Sequence, residues 1–397
     1  MQKRKIPFDI LDSIRGIASL YVVIAHCRGV LWIGGAGYSE KFPRSGWDIG
    51  EYLMVGSSLL TRLAVEFVIV FFVLSGFSIA HSLSGANASP LPFYKRRLVR
   101  IYPSYIVALF WAILVYLLTR YLFPEWYDGT LTGFSFERTR EMNNFLEPAV
   151  LLKNLFYMPS AGLISPFWSL TYEVIFYLLA PFLIRRLNLY LGLSVLFYLA
   201  NLALPGTMKS IGLPLYFYNF LFVYNIYFAI GMGVYKYFDR IMEFAGRFGK
   251  KVLLAMMLAA LASMYAFNFK SGSENASGFI LSAILGVLLI VYFVRYQVRI
   301  KWLMKTGEFS YTLYITHFAS VYLYLAIYWW LFSPDTPYIL NYFVWIPAIA
   351  FCLLIAFVQF KLVEEKTKHI LNRLRTRKET RMATNNDLIA PATEKIT

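Results

Sequence analysis

Long apolar runs separated by short polar, charged intervals dominate this chain. Crossing ~30 Å of hydrocarbon takes roughly 20 mostly apolar residues. On that yardstick about ten runs qualify, at 9–33, 61–82, 100–122, 168–185, 189–205, 214–235, 251–268, 277–295, 309–332 and 339–361. The runs are long and unbroken rather than short alternations of apolar and polar positions. They predict helices, because in lipid a backbone must satisfy its own polar groups, and these runs lack the two-residue period of a barrel strand. The expected fold class is all-α: a polytopic transmembrane helical bundle of about ten spans, with both termini cytoplasmic.

Composition strengthens this reading. Hydrophobic residues make up 59% of the 397 and charged residues only 15%, whereas soluble domains run near a quarter charged. Tyr, Phe and Trp reach 19%, and Tyr and Trp suit the membrane–water boundary. The net charge of +16 would suggest nucleic acid in a soluble protein. Here no nucleic-acid motif is present, and the Lys and Arg gather in alternate intervals, as the positive-inside rule expects. With the N-terminus inside, the inner set holds Lys3, Arg4 and Lys5, the 95–100 cluster, Arg185 and Arg186, residues 236–251, residues 295–305 and the tail from Lys361. The chain opens like a signal peptide, but its first apolar run lacks a small-x-small cleavage site and holds Arg15 and His26, so it reads as a retained span. Cys27 and Cys352 lie in apolar runs, which argues against a disulfide framework. Two long intervals, 34–60 and 123–167, fall outside on this topology, and long loops in compact proteins are usually functional. The organisation expected is one integral membrane domain, 1–375, and a polar, disordered cytoplasmic tail, 376–397.

Ionisable groups inside spans are costly and mark functional candidates. Arg15 and His26 stand eleven residues apart in the first run, which puts them ~16 Å apart along a helix and on one face. That face would carry an anion-binding group at the inner end and a candidate base in the outer half. A snorkelling Arg and a His bonded to a neighbouring helix would satisfy the same residues. Glu173, five residues into the run opened by Trp168 and Ser169, lies on this topology at a depth comparable with His26. A carboxylate bonded to an imidazole suits general-base work, so Glu173 is expected to hold and polarise His26; a structural ion pair is the plainer alternative. Arg96, Arg97 and Arg100 cluster at the inner surface. They suit phosphate in fork geometry, although ordinary positive-inside charge also explains such a cluster.

Weaker candidates for substrate contact or structural support are Asp12, Glu66, Ser75, Trp168, Ser169, Tyr311 and His317. A lone mid-span histidine such as His317 is more often a helix–helix hydrogen bond than a catalyst. The four His and the acidic residues show no metal-ligand spacing, so no metal is expected. No Gly-x-Ser-x-Gly elbow or phosphate-binding Gly loop occurs.

Taken together these pieces resemble the acyltransferase-3 family of membrane acyltransferases. They are Leu-Asp-x-x-Arg-Gly-Ile-Ala with ten residues between Arg15 and His26, Phe-Phe-Val-Leu-Ser-Gly-Phe at 71–77, Arg97 and Arg100 before Tyr102-Pro103, Trp168-Ser169-Leu170 with Glu173, the Gly307–His317 stretch, and Val363-Glu364. The resemblance implies an acyl-CoA donor reached from the cytoplasm, acetyl-CoA above all, and transfer to a hydroxyl of a surface or exported carbohydrate at the outer face. It implies His26 as catalytic residue and Arg15, Arg97 and Arg100 at the donor, with Arg96 placed there by its neighbours. It also implies a multi-pass protein of the bacterial inner membrane, surrounded by membrane lipid. The alternatives are transfer to a lipid or small-molecule hydroxyl, or a proton-coupled transporter. No repeat between the two halves supports the transporter.

Overall fold

The computed structural model describes residues 6–84, 89–131, 134–158, 162–271, 276–332 and 339–370. The expected tail, 376–397, and the basic Lys3, Arg4 and Lys5 lie outside these residues. Among the described residues every regular element is helical. In chain order they are α1 (Phe8–Leu31), α2 (Gly34–Lys41), α3 (Ile49–Leu59), α4 (Ala64–Ser82), α5 (Pro90–Leu122), α6 (Phe134–Arg140), α7 (Pro148–Leu155), α8 (Trp168–Leu183), α9 (Leu187–Ala203), α10 (Pro205–Ser210), α11 (Leu215–Asn219), α12 (Asn225–Lys236), α13 (Phe238–Ala245), α14 (Lys250–Ser271), α15 (Ala276–Arg295), α16 (Lys301–Glu308), α17 (Ser310–Phe332) and α18 (Trp345–Gln359).

Nine helical stretches among the described residues are long and apolar enough to cross a membrane. One of them, 162–203, has 42 residues and would be ~63 Å long if straight, about twice a hydrocarbon core. It breaks at Ile184–Arg186, where Arg186 leaves helical geometry at φ −122, ψ 50. The stretch therefore holds two helices, α8 and α9, matching the two separate runs in the sequence. Helix α5 begins ten residues before the apolar run that announces it, so Lys95 to Arg100 ride on its first turns.

The two long intervals are not irregular. Within 34–60, α3 opens on a reciprocal cap in which Asp48 accepts from the Glu51 amide and Glu51 from the Asp48 amide. Within 123–167, Trp126, Phe136, Met142 and Phe145 are buried, and the turn Gly162–Phe167 sinks into the bundle beside α17.

Helix α1 lies at the centre, packed on α4, α16, α17 and α18. Glycines set the closest approaches. A Cβ at Gly16 would stand 2.1 Å from the Leu303 carbonyl oxygen, and one at Gly307 would stand 1.9 Å from that of Asp12. Across α4 and α12 the same holds for Gly76 against the Phe228 carbonyl and Gly231 against that of Val73, each at 2.1 Å. Lipid tails are as apolar as Leu, so membrane helices associate through such close small-residue contacts rather than through hydrophobic expulsion. The Gly of the Arg15-Gly16 and Ser75-Gly76 pairs thus positions backbone, and the polar residue beside each faces the interior.

Candidate active site

One end of α1 borders a cavity of about 130 Å³. Its wall includes Arg15, Ser75, Ser78, Arg97, Arg100 and Glu173, together with Ser169, Tyr177, Tyr311 and Tyr314. Arg15 donates to Asp12 at 2.7 Å and to the Ser78 hydroxyl at 2.8 Å. Asp12 sits one turn before Arg15 and so aims its guanidinium toward α4. The Arg97 guanidinium lies between two rings, 5.5 Å from the Phe93 centroid and 5.3 Å from that of Tyr177. Among the described residues no protein acceptor takes an N–H of Arg97 or Arg100. Glu173 accepts from Ser75 at 2.9 Å and from the Tyr177 hydroxyl. The cavity is thus a cationic chamber with one hydrogen-bonded carboxylate, a charge balance suited to phosphate-bearing groups.

Further along α1, His26 meets His317 of α17. The His26 Nδ1 to His317 Nε2 distance is 2.9 Å, and the rings lie 5.0 Å apart at 25°. The hydrogen-bond network assigns their protons. His317 Nδ1 faces two carbonyl oxygens, those of Tyr314 at 2.7 Å and Leu313 at 3.2 Å. A carbonyl only accepts, so His317 Nδ1 carries the hydrogen. In the neutral ring its Nε2 is then a lone pair, which accepts from His26 Nδ1–H. The lone pair of the neutral His26 ring consequently sits on Nε2, the atom a base or nucleophile would use. Phe318 closes edge-on against His26 at 5.1 Å. The thiols of Cys27 and Cys352, each beside one histidine, are free and face each other at 4.0 Å, and the Cys352 thiol points to the His317 carbonyl at 3.6 Å.

The interval 123–167 reaches this end of α1. Ser135 of α6 donates to the Val30 carbonyl at 2.8 Å, and Tyr322 donates to the Ser135 carbonyl at 2.9 Å. Arg138 Nη1 donates to both carboxylate oxygens of Glu141, at 3.0 and 2.9 Å, and Arg28 Nε donates to the Thr61 hydroxyl at 2.9 Å. Neither arginine was a sequence candidate.

Three expectations change. Glu173 does not hold His26; it belongs to the arginine cavity, and His317 is the partner. Depth counting placed Glu173 too near the surface because it took Trp168 as the point of entry. The buried turn Gly162–Phe167 instead carries the chain inward before α8 starts, and Tyr314 donates to the Pro166 carbonyl at 2.8 Å. Glu173 lies seven residues beyond Pro166 along α8 and His317 three beyond Tyr314 along the oppositely running α17, so the two sit on opposite sides of that level. Glu66 also leaves the site: it is buried on α4 toward Asn268, which donates to it at 2.8 Å. Arg96 is half-buried on α5 and does not line the cavity, whereas Arg97 and Arg100 do.

The remaining candidates support the wall. Ser169 and Tyr314 share a hydroxyl–hydroxyl bond of 2.7 Å, Tyr311 donates to the Ile101 carbonyl at 3.1 Å, and Trp168 packs against Tyr224 at 5.4 Å. Among the described residues no group of three His, Cys, Asp or Glu gathers as metal ligands.

Comparison with known proteins agrees with this architecture. A curated protein of Rhizobium radiobacter, "Protein 2 in picA locus", is 26% identical over 185 residues, covering 42% of this chain and 78% of that protein. No solved structure matches. Residues 8–361 match the acyltransferase-3 model, described as an acyltransferase domain, and that span contains every site residue above. The chain therefore belongs to the acyltransferase-3 family, and it is a multi-pass integral membrane acyltransferase.

Proposed function

We propose that this protein is an O-acetyltransferase of a surface or exported carbohydrate, using acetyl-CoA from the cytoplasm. The observation that carries the reading is the His26–His317 pair, whose proton assignment leaves a lone pair on His26 Nε2. Arg97 and Arg100, with unspent N–H groups on the cavity wall, would hold the donor's phosphates. Arg15, fixed by Asp12 and Ser78, would contact the donor further in. The positive-inside rule puts these arginines at the cytoplasmic end of α1 and His26 toward the outer face, where the 34–60 and 123–167 intervals would admit the acceptor. The membrane in question is the bacterial inner membrane on family grounds.

In this mechanism His26 Nε2 takes the proton of the acceptor hydroxyl as its oxygen attacks the thioester carbonyl. The new C–O bond forms, the C–S bond breaks, and the imidazolium returns the proton to the departing thiolate. His317 is a positioning residue: it fixes the His26 tautomer and spreads the developing positive charge through the 2.9 Å bond. A base of this kind contributes roughly 10²–10⁴-fold.

The test is mass spectrometry of surface glycan from cells lacking the gene, complemented with wild type or with His26→Ala at equal expression. One acetyl mass on a sugar, restored by wild type and absent with His26→Ala, is the expected result. An acylated lipid or small molecule in place of the glycan would reassign the acceptor. Full acetylation with His26→Ala would remove His26 from the chemistry.

A further inference from the structure

The cavity and the histidine pair meet at Tyr314. His26 and His317 are absent from the cavity lining, and Tyr314, which lines it, contacts His317. Its ring centroid is 5.8 Å from that of His317, and its carbonyl takes the His317 Nδ1 hydrogen. The ring also packs edge-on against Phe71 of the lining, at 6.2 Å. Its hydroxyl is held from two sides, by Ser169 at 2.7 Å and by the Pro166 carbonyl at 2.8 Å. The phenol is thus pinned across the space between a chamber suited to the donor's phosphates and the base that must meet the donor's carbonyl.

From this placement we propose that Tyr314 is the specificity-determining residue for the acyl group: its pinned ring limits the length of chain that passes from the arginine cavity to His26. The inference rests on the reading of His26 as base and of the cavity as donor site. A two-carbon acyl group needs little more room than the carbonyl itself. Each further methylene must displace the ring or pack against it. In a site of fixed shape one methylene changes discrimination by ~10–200-fold. Ser169 acquires a role through the same geometry: itself on the cavity wall, it holds the Tyr314 hydroxyl and so helps fix the ring.

The experiment uses inside-out vesicles of the producing cell, which carry full-length protein and endogenous acceptor. They are supplied in turn with radiolabelled acetyl-, butyryl- and hexanoyl-CoA, and label in the acceptor is counted. Wild type is expected to fall by at least ~10-fold from acetyl to butyryl. Tyr314→Ala is expected to bring the butyryl rate to within ~3-fold of the acetyl rate. Ser169→Ala and Tyr314→Phe release the ring without removing it and are expected to move the profile the same way, less far. If Tyr314→Ala does not accumulate as folded protein, these two variants decide. An unchanged donor profile in the folded, active variants overturns the inference. If His26→Ala vesicles label as fully as wild type, or wild type labels with none of the donors, the underlying reading falls instead. An inactive His26→Ala together with an unchanged Tyr314 profile removes only the specificity role.

Discussion

At the scale of single residues, the site divides into two groups that a motif scan lists together. Glu173 and His317 make the division testable. Glu173 touches Ser75 and Tyr177 at the cavity, below the histidine pair. Glu173→Gln should therefore raise the donor KM and leave the acid limb of the kcat profile where it is. His317→Ala should lower kcat by ~10–100-fold with little change in donor KM, because it frees the His26 tautomer without touching the cavity. Steady-state kinetics of both variants across pH 5–8 checks this; the reverse pattern would restore the carboxylate–histidine pair expected from sequence. An i, i+3 pair such as Arg15–Asp12 is legible in a sequence because it is local to one helix. The His26–His317 pair is not, because 291 residues separate its members and nothing near either residue announces the other.

At the scale of elements, glycine contacts decide where helices cross. Gly16 and Gly307 bring α1 onto α16, and Gly76 and Gly231 bring α4 onto α12. In each case the nearest neighbour is backbone, which cannot swing aside as a side chain would. Gly16→Val and Gly231→Leu should each destabilise the fold by more than ~3 kcal/mol, beyond ordinary overpacking. Detergent-solubilised protein should then elute as aggregate in size-exclusion chromatography, or unfold well below wild type by tryptophan fluorescence. A wild-type elution and melting profile would show that these crossings can open without cost. The buried turn Gly162–Phe167 has a comparable effect on α8. Hydropathy found the helix but gave no sign that it starts inside the bundle, since a buried turn of Gly, Leu, Ile, Pro and Phe reads like membrane-embedded chain.

At the scale of the whole molecule, the proposed sidedness places α14 with Lys251 inside and Lys270 outside. The native thiols suit a labelling test, because Cys27 and Cys352 are fully buried. In intact cells a membrane-impermeant maleimide should label Lys270→Cys and spare Lys251→Cys until the membrane is opened; the opposite order would invert the topology and move the arginine cavity away from the cytoplasm. The sequence by itself determined the membrane class, the all-helical fold and the helices of spanning length. Those follow from apolar run length, charge placement and helical period, each a property of one segment in its solvent. Only the tertiary structure decided that Glu173 joins the arginines, that His317 joins His26, and that Tyr314 stands between the two groups. These pairings depend on how deep each helix enters and how it is rotated against its neighbours. Depth and rotation are fixed by buried turns and by glycine crossings between distant segments, which no local pattern records.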